Sequence, residues 1–381
     1  MPNAVREHQA RVLIAGVSTR AMAESAARAG YAVTALDAFG DLDQHASVRA
    51  LSLPRGFGVP FSAAAAATVA RGLEFDAVAY LSPFENHPSA VGQLAYLAPL
   101  WGNKPVVLRK ARDPRSLVEL LGLSAGGATR WLLKPRASGG GRNIRWWKPG
   151  ESVPRGWHVQ PYVEGVPGSI VFVTAAGQCA PLGLTRQLIG GAEFGATEFR
   201  YCGNILAAAG DQQFDRDASL LDSALRLAAI ASKTVGLVGV NGIDFVAHDG
   251  VAHAIEINPR YSASMELVER AFGVSIFAAH ADACARGVLP AFDLETARQR
   301  TRAFGKAIVF ARRDVVCGDT RPWLEDPTVR DVPHPGERIA AGRPVCTVFA
   351  DAPDSVLCHA GLVRRAESIY QTLDSWSRVA A

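Results

Sequence analysis

Hydrophobic positions in the first hundred residues follow two periods in turn. RVLIAGVS is an unbroken apolar run of the kind that forms a strand buried on both faces. TRAMAESAARAG, after it, repeats apolar positions at helical spacing and closes on Gly30. YAVTALDA and FDAVAYLSP are further strands, and alanine-rich SAAAAATVA is a helix by propensity. Strand, helix, strand in this order predicts a parallel, doubly wound sheet over residues 1–100. The first turn, AGVSTR, lacks GxGxxG, so a dinucleotide site is not expected there.

Beyond residue 100 the pattern changes to strand pairs. WLLKP and RNIRWWKP flank RASGGG, and WHVQPYVEG and SIVFVTAAG form a second pair around Gly165 and Gly168. A long amphipathic helix, DRDASLLDSALRLAAIASKTVG, precedes the hairpin GIDFVA-HDG-VAHAIEINPR. From about residue 300 the chain is rich in Pro, Gly and Val, as in HPGERIAAGRPVCTVFA, and reads as a small β-rich region.

Composition narrows the function classes. With 49% hydrophobic and 20% charged residues, a chain of 381 can bury two or three sizeable cores. The net charge of +4 is spread out, with no basic tract interleaved with aromatics, so nucleic acid is not an expected partner. No apolar run is long enough to span a bilayer, and MPNAVREHQARVLIAG has no signal-peptide core. The six cysteines are scattered without a CxxC pair, which argues against a disulfide framework or structural zinc and for a cytoplasmic setting.

The chemistry concentrates in AIEINPRYSASMEL. Glu256 and Asn258 share one face of a strand, because side chains alternate. A two-residue Asp249-Gly250 loop in a regular ladder would turn Asp244 to the opposite face. A three-residue His248-Asp249-Gly250 loop pairs 247 with 251 and brings Asp244, Glu256 and Asn258 together, and this register is the one expected. Two carboxylates and an amide oxygen suit Mg²⁺, and Arg260 just beyond could hold a phosphoryl oxygen. The plainer alternative is an exposed acidic hairpin. In LLKPRASGGGRNI, Lys134 ends a strand, and Gly139, Gly140 and Gly141 could let backbone N–H groups approach phosphate. An ordinary glycine turn is the alternative there. GxxxxGK[ST] is absent, so this is not a Walker loop.

These pieces, in this order, resemble the ATP-grasp superfamily over roughly residues 1–290, including its predicted carboligases related to biotin carboxylase. The resemblance rests on GIDFVAHDGVAHAIEINPR, on Lys134 with its glycines, and on VQPYVEG. It implies an α/β and α+β fold: a Rossmann-like N-terminal domain (1–100), two ATP-grasp lobes (101–165 and 166–295) and a small C-terminal β-rich region (296–381). It implies ATP and Mg²⁺, with Mn²⁺ as an alternative, and an ADP-forming ligase that makes an acyl phosphate and passes it to an amine. Asp244, Glu256 and Asn258 carry over as metal ligands, and Lys134, Arg260 and Arg186 as the cations at the transferred phosphate. Gln160, Tyr162 and Val163 would meet the base.

Two departures stand out. Pro114 falls where many members have an early lysine, leaving Arg112, Arg115 or Lys110 as substitutes, and Glu164 stands in for the usual ribose-binding acid. The resemblance leaves a homodimer open, and extends to cofactor biosynthesis, such as glutamate ligation to a one-carbon carrier. Its alternatives are carboxylation through carboxyphosphate and a non-catalytic ATP-binding protein.

Glu85, Asn86 and His87 follow a strand end, where ligands gather in parallel sheets, although Pro88 also marks a helix start. Arg200, Tyr201, Tyr261 and Ser262 complete the candidate contacts to carboxylate and amine substrates. Surface arginines and helix-capping serines are the plainer readings.

Overall fold

The computed structural model describes residues 9–121 and 129–379. The first eight residues, part of the segment read above for a signal peptide, lie outside the described residues.

The N-terminal strands β1 (Arg11–Ala15), β2 (Ala32–Asp37), β3 (Val48–Ser52), β4 (Ala77–Tyr80) and β5 (Leu100–Trp101) form a parallel sheet in the order β3-β2-β1-β4-β5. Its apolar runs are continuous because both faces are covered. Val12 and Ile14 pack with the helix Arg20–Arg28, while Leu13 and Ala15 pack with the alanine-rich helix Ala63–Ala70. Ser62 caps that helix by accepting from the Ala65 N–H at 3.1 Å.

A small antiparallel sheet follows, with β6 (Trp131–Pro135) between β7 (Arg145–Trp147) and β8 (Trp157–Pro161). The third sheet has eight strands. It runs through β9 (Val166–Ala175), β10 (Gln178–Ile189), β11 (Tyr201–Leu206), β12 (Gly239–His248), β13 (Val251–Asn258) and β14 (Ala303–Phe310). Strands β15 (Val315–Val316) and β17 (Arg338–Ile339) pair separately, whereas β16 (Val329–Arg330) and β18 (Pro344–Ala352) complete the large sheet in the order β13-β12-β9-β10-β11-β14-β18-β16.

The C-terminal strands are therefore continuous with the lobe before them. The chain then ends in a 25-residue helix, Ser355–Val379, whose Cys358, Leu362, Ala366 and Ile369 enter the core beneath β14 and β18. The helix Asp217–Val235 covers the other part of the sheet, burying Leu220, Leu227 and Ala231 against Ile170, Phe172 and Phe245. Odd-numbered residues of β9 and even-numbered residues of β12 are thereby turned away from this helix. Of these, Val171, Val173 and Val240 pack in the core with Val12, Ile14 and Met265, while Pro167, Ser169, Asp244 and Val246 face the cleft between the large and small sheets.

Candidate active site

The β12–β13 hairpin corrects the expected register. His248 pairs with Val251, so the loop is the two-residue Asp249-Gly250, with φ of 50° and 75°. Positive φ at both positions is what a tight hairpin turn of this twist needs, and Asp-Gly supplies it. The ladder runs regularly to Phe245 opposite Ala254 and then shifts, so Asp244 lies opposite Glu256 and Gly242 opposite Asn258. The extra residue, Ile255, is a β-bulge. It restores to one face the three side chains that a regular two-residue hairpin would have separated, and the Ile255 carbonyl accepts from Gln160 Nε2 at 3.3 Å.

The carboxylates differ in their electrostatics. Burial and the facing Glu256 push Asp244 up to about 6, against hydrogen bonding from Asn258, Gln187 and Ser169. Asn258 Nδ2 donates to Asp244 at 2.9 Å, and its Oδ1 accepts from Arg260 at 3.2 Å. Burial also opposes ionisation of Glu256, but Arg112 and Lys134 outweigh it and hold Glu256 below the ordinary range. Lys134 is itself lowered, by burial first and by Arg112, against the pull of Glu256 and Asp244.

The glycine loop lies closed over this face. Gly140 O accepts from the Tyr201 N–H at 3.2 Å. Gly141 has φ of 72°, and a Cβ there would sit 1.8 Å from Phe199 O. Only glycine permits both the conformation and the approach. Trp146 of β7 stands edge-on to Phe199 and Tyr162, with the Arg130 guanidinium 3.8 Å above its ring.

Beneath the loop is a cavity of about 470 Å³. One end is apolar, with Leu132, Ile144, Tyr162, Val163 and Ile255. The other carries Lys134, Gly139, Gly140 and Gly141 opposite Asp244, Glu256, Asn258 and Arg260. Gln160 lines the apolar end, and its Oε1 is buried without a hydrogen-bond partner.

Of the three candidate early cations, geometry selects one. Lys110 bonds the Thr234 carbonyl, and Arg115 pairs with Asp113 at 3.1 Å. Arg112 instead forms a short ion pair with Glu256, and reaches Asn86 Oδ1 at 3.1 Å and Ser138 O at 3.3 Å. It thus ties the N-terminal sheet to the hairpin and the glycine loop. Glu85, 1% exposed, accepts from Arg260 Nε at 2.8 Å, and its Oε2 has no partner. Glu85 and Asn86 occupy a short 3₁₀ turn, and the helix Pro88–Leu97 starts two residues later, as Pro88 marks; neither they nor His87 lines the cavity.

Several sequence candidates are placed elsewhere. Arg186 is not in the cavity wall; by strand alternation it shares the face of Leu184, toward the helix Asp217–Val235. Its neighbour Gln187 lines the cavity instead, and the sequence reading missed it. Glu164 is exposed, 3.8 Å from Arg130. His87 caps the next helix through its carbonyl, and Arg200 lies over the Phe310 ring. Tyr261 lines a different cavity, while Tyr201 and Ser262 do face this one. Ser264, read with Ser262 as a loop hydroxyl, lines it too; Ser169 and Asn204 also line it and went unread. Their one available signal was period-2 alternation, which needs a register to become a face.

Comparison with known proteins agrees with this geometry. Residues 115–264 match the family model for the ATP-grasp domain. The L-amino acid ligase from Bacillus licheniformis superposes with a TM-score of 0.67 at 15% identity, over 95% of this chain and 98% of that one. Biotin carboxylase from Campylobacter jejuni gives 0.67 at 14%, over 93% and 90%. N5-carboxyaminoimidazole synthetase from Staphylococcus aureus, complexed with ADP, gives 0.66 at 14%, over 94% and 97%. At these identities the likeness is one of fold. No curated protein matches the sequence significantly.

Proposed function

We propose, starting from a chain that carries an ATP-grasp domain, that it is an ATP-dependent, ADP-forming ligase. It would activate a carboxylate as an acyl phosphate and join it to an amine. The observation that carries this reading is the single cavity in which the Asp244–Glu256 pair, Asn258, Lys134 and the glycine loop meet beside an apolar slot.

The apolar end suits a purine, with Gln160 Oε1 as an unused acceptor for an amino group. Lys134, Arg112 and the loop glycines would then face the phosphates. The donor set fits Mg²⁺: two facing carboxylates and an amide, one of the carboxylates raised by burial and by the charge of the other. Among the described residues no cluster of three or more His, Cys, Asp or Glu could hold a metal, so substrate phosphates and water would have to complete the shell. When bound, the ion would neutralise phosphate charge.

In the first step a carboxylate oxygen attacks the γ-phosphorus, the bond to the β,γ-bridging oxygen breaks, and ADP leaves. In the second, the amine attacks the acyl carbon, loses a proton, and inorganic phosphate departs. Arg260, braced by Glu85 and Asn258, is positioned to steady the transferred phosphoryl group. Gln187, Tyr201, Asn204, Ser262 and Ser264 give the acceptor side neutral polar groups.

Carboxylation is the second reading, because two of the similar structures carry it in their names, and bicarbonate would take the place of the carboxylate. The test is ADP and phosphate release from Mg·ATP with a panel of carboxylates, bicarbonate and amines including glutamate, followed by mass spectrometry. Amine-dependent ADP release, with a product one water lighter than its two parts, supports ligation. Bicarbonate-dependent release without an amide product supports the second reading. AMP release would contradict both.

A further inference from the structure

A second cavity, of about 500 Å³, shares no lining residue with the first. Three distant parts of the chain build it: the helix Arg20–Arg28, the segment from Tyr261 through the helix Ala263–Phe272, and the edge around Arg330. Its walls hold three carboxylates and three arginines, and the two sets are not equally satisfied.

Every carboxylate oxygen is engaged from within. Glu24 accepts from Arg20 at 3.1 Å and Arg28 at 2.5 Å. Glu266 accepts from Arg20 at 2.9 Å and Lys306 at 2.7 Å. Glu269 accepts from Arg28 at 2.7 Å and the Ile276 N–H at 3.3 Å. Among the described residues, Arg270 donates no hydrogen bond; Glu266, already doubly bonded, stands 3.6 Å away, and the guanidinium lies 3.7 Å over the Phe349 ring. Among the described residues, the Arg330 side chain donates only to the carbonyls of Asp326 and Val329, through one nitrogen. Burial first, then Arg20 and Arg330, lower the Arg270 pKa against Glu266 and Glu24. The hydroxyl of Tyr261, a wall residue 4% exposed, is buried without a partner.

We infer that this cavity is a binding site for a small organic anion, carrying a carboxylate or phosphate, held by Arg270 and Arg330. Two guanidiniums with unspent donors and a stacked, fixed plane are what fork recognition of such a group requires. Tyr261 offers a further donor. Because Tyr261 follows Arg260, an occupied site would bear on the segment that leads into the first cavity. The inference does not depend on the first cavity's being a nucleotide site.

Calorimetric titration of the full-length protein with inorganic phosphate and, separately, succinate tests it and distinguishes the two chemistries. One of the probes is expected to bind with a dissociation constant below about 1 mM. Binding should weaken at least tenfold in Arg330→Gln and Arg270→Gln, and persist in Lys134→Met. Arg330→Gln carries the test if Arg270→Gln does not fold by circular dichroism. Absence of binding by both probes would overturn the inference. So would loss in Lys134→Met with retention in Arg330→Gln, which would place the anion in the first cavity.

Discussion

Two buried clusters of opposite charges lie on either side of the segment 259–264, and Glu266 in one and Asp244 in the other shift in opposite directions. Around Arg20, 1% exposed, stand Asp331 at 2.7 Å, Glu266 at 2.9 Å, Glu24 at 3.1 Å and Asp43 at 3.5 Å, with Lys306 closing on Glu266. Burial would raise Glu266, yet Arg20 and Lys306 hold it far below the ordinary carboxylate range. In the first cavity the cations converge on Glu256, and Asp244 rises to about 6. Glu266 is bonded by two cations and falls, whereas Asp244 is bonded by none and rises with burial and the facing Glu256; around Arg20, burial and Asp331 likewise raise Asp43. The Arg20 cluster joins the N-terminal sheet to the C-terminal strands; the Glu256 cluster lines the first cavity.

Breaking the Arg20 cluster should have the largest effect. Arg20→Met strands several buried carboxylates and is expected to cost about 3–5 kcal/mol, read as a lowered denaturant midpoint with unchanged slope. Glu266 also ties this cluster to pH. Its pKa is depressed in the folded state, so its stabilisation is full above the unfolded value, 4.5, and lost as pH falls below it. Glu266→Gln should flatten that acid limb in pH-dependent unfolding.

Asp244 should respond with the opposite sign. Asp244 is raised when folded, so its contribution is present below 3.8 and lost as pH rises through about 6. At neutral pH, without divalent ions, Asp244→Asn is expected to stabilise by about 1–2 kcal/mol, discounted for partial solvent access. A loss of stability in chelator would contradict the contrast.

Binding variants should move stability least. Lys134→Met should leave the unfolding midpoint within about 0.5 kcal/mol and weaken ADP binding about tenfold or more. Gly141→Ala would push a methyl group into Phe199 O and should raise the ATP concentration needed for turnover, by preventing loop closure. An unchanged ATP requirement would show that the loop does not close on the nucleotide.

Much of this contrast was legible along the chain, but unevenly. Apolar runs located β1, β2 and β4 but not the short edge strands β3 and β5, and EINPR with Asp244 located the hairpin, because these signals are local. The expected three-residue loop was wrong and its conclusion right, since a bulge at Ile255 did what the longer loop was meant to do. Nothing in VAHAIEIN announces a bulge. Arg186 shows the opposite failure: one residue along a strand changes the face, so the cavity received Gln187. Arg112 could not be told from Lys110 and Arg115 because three cations within six residues differ only in which neighbour each faces. The Glu85–Arg260 pair spans 175 positions and exists only after folding.

The most direct test of the central claim is calorimetric titration of ADP, with and without Mg²⁺, into the wild-type protein and Asp244→Asn. The account predicts that Mg²⁺ tightens ADP binding at least about tenfold in the wild type and has no such effect in the variant, which stays folded. Equal Mg²⁺ enhancement in both proteins, or no ADP binding by the wild type, would contradict it.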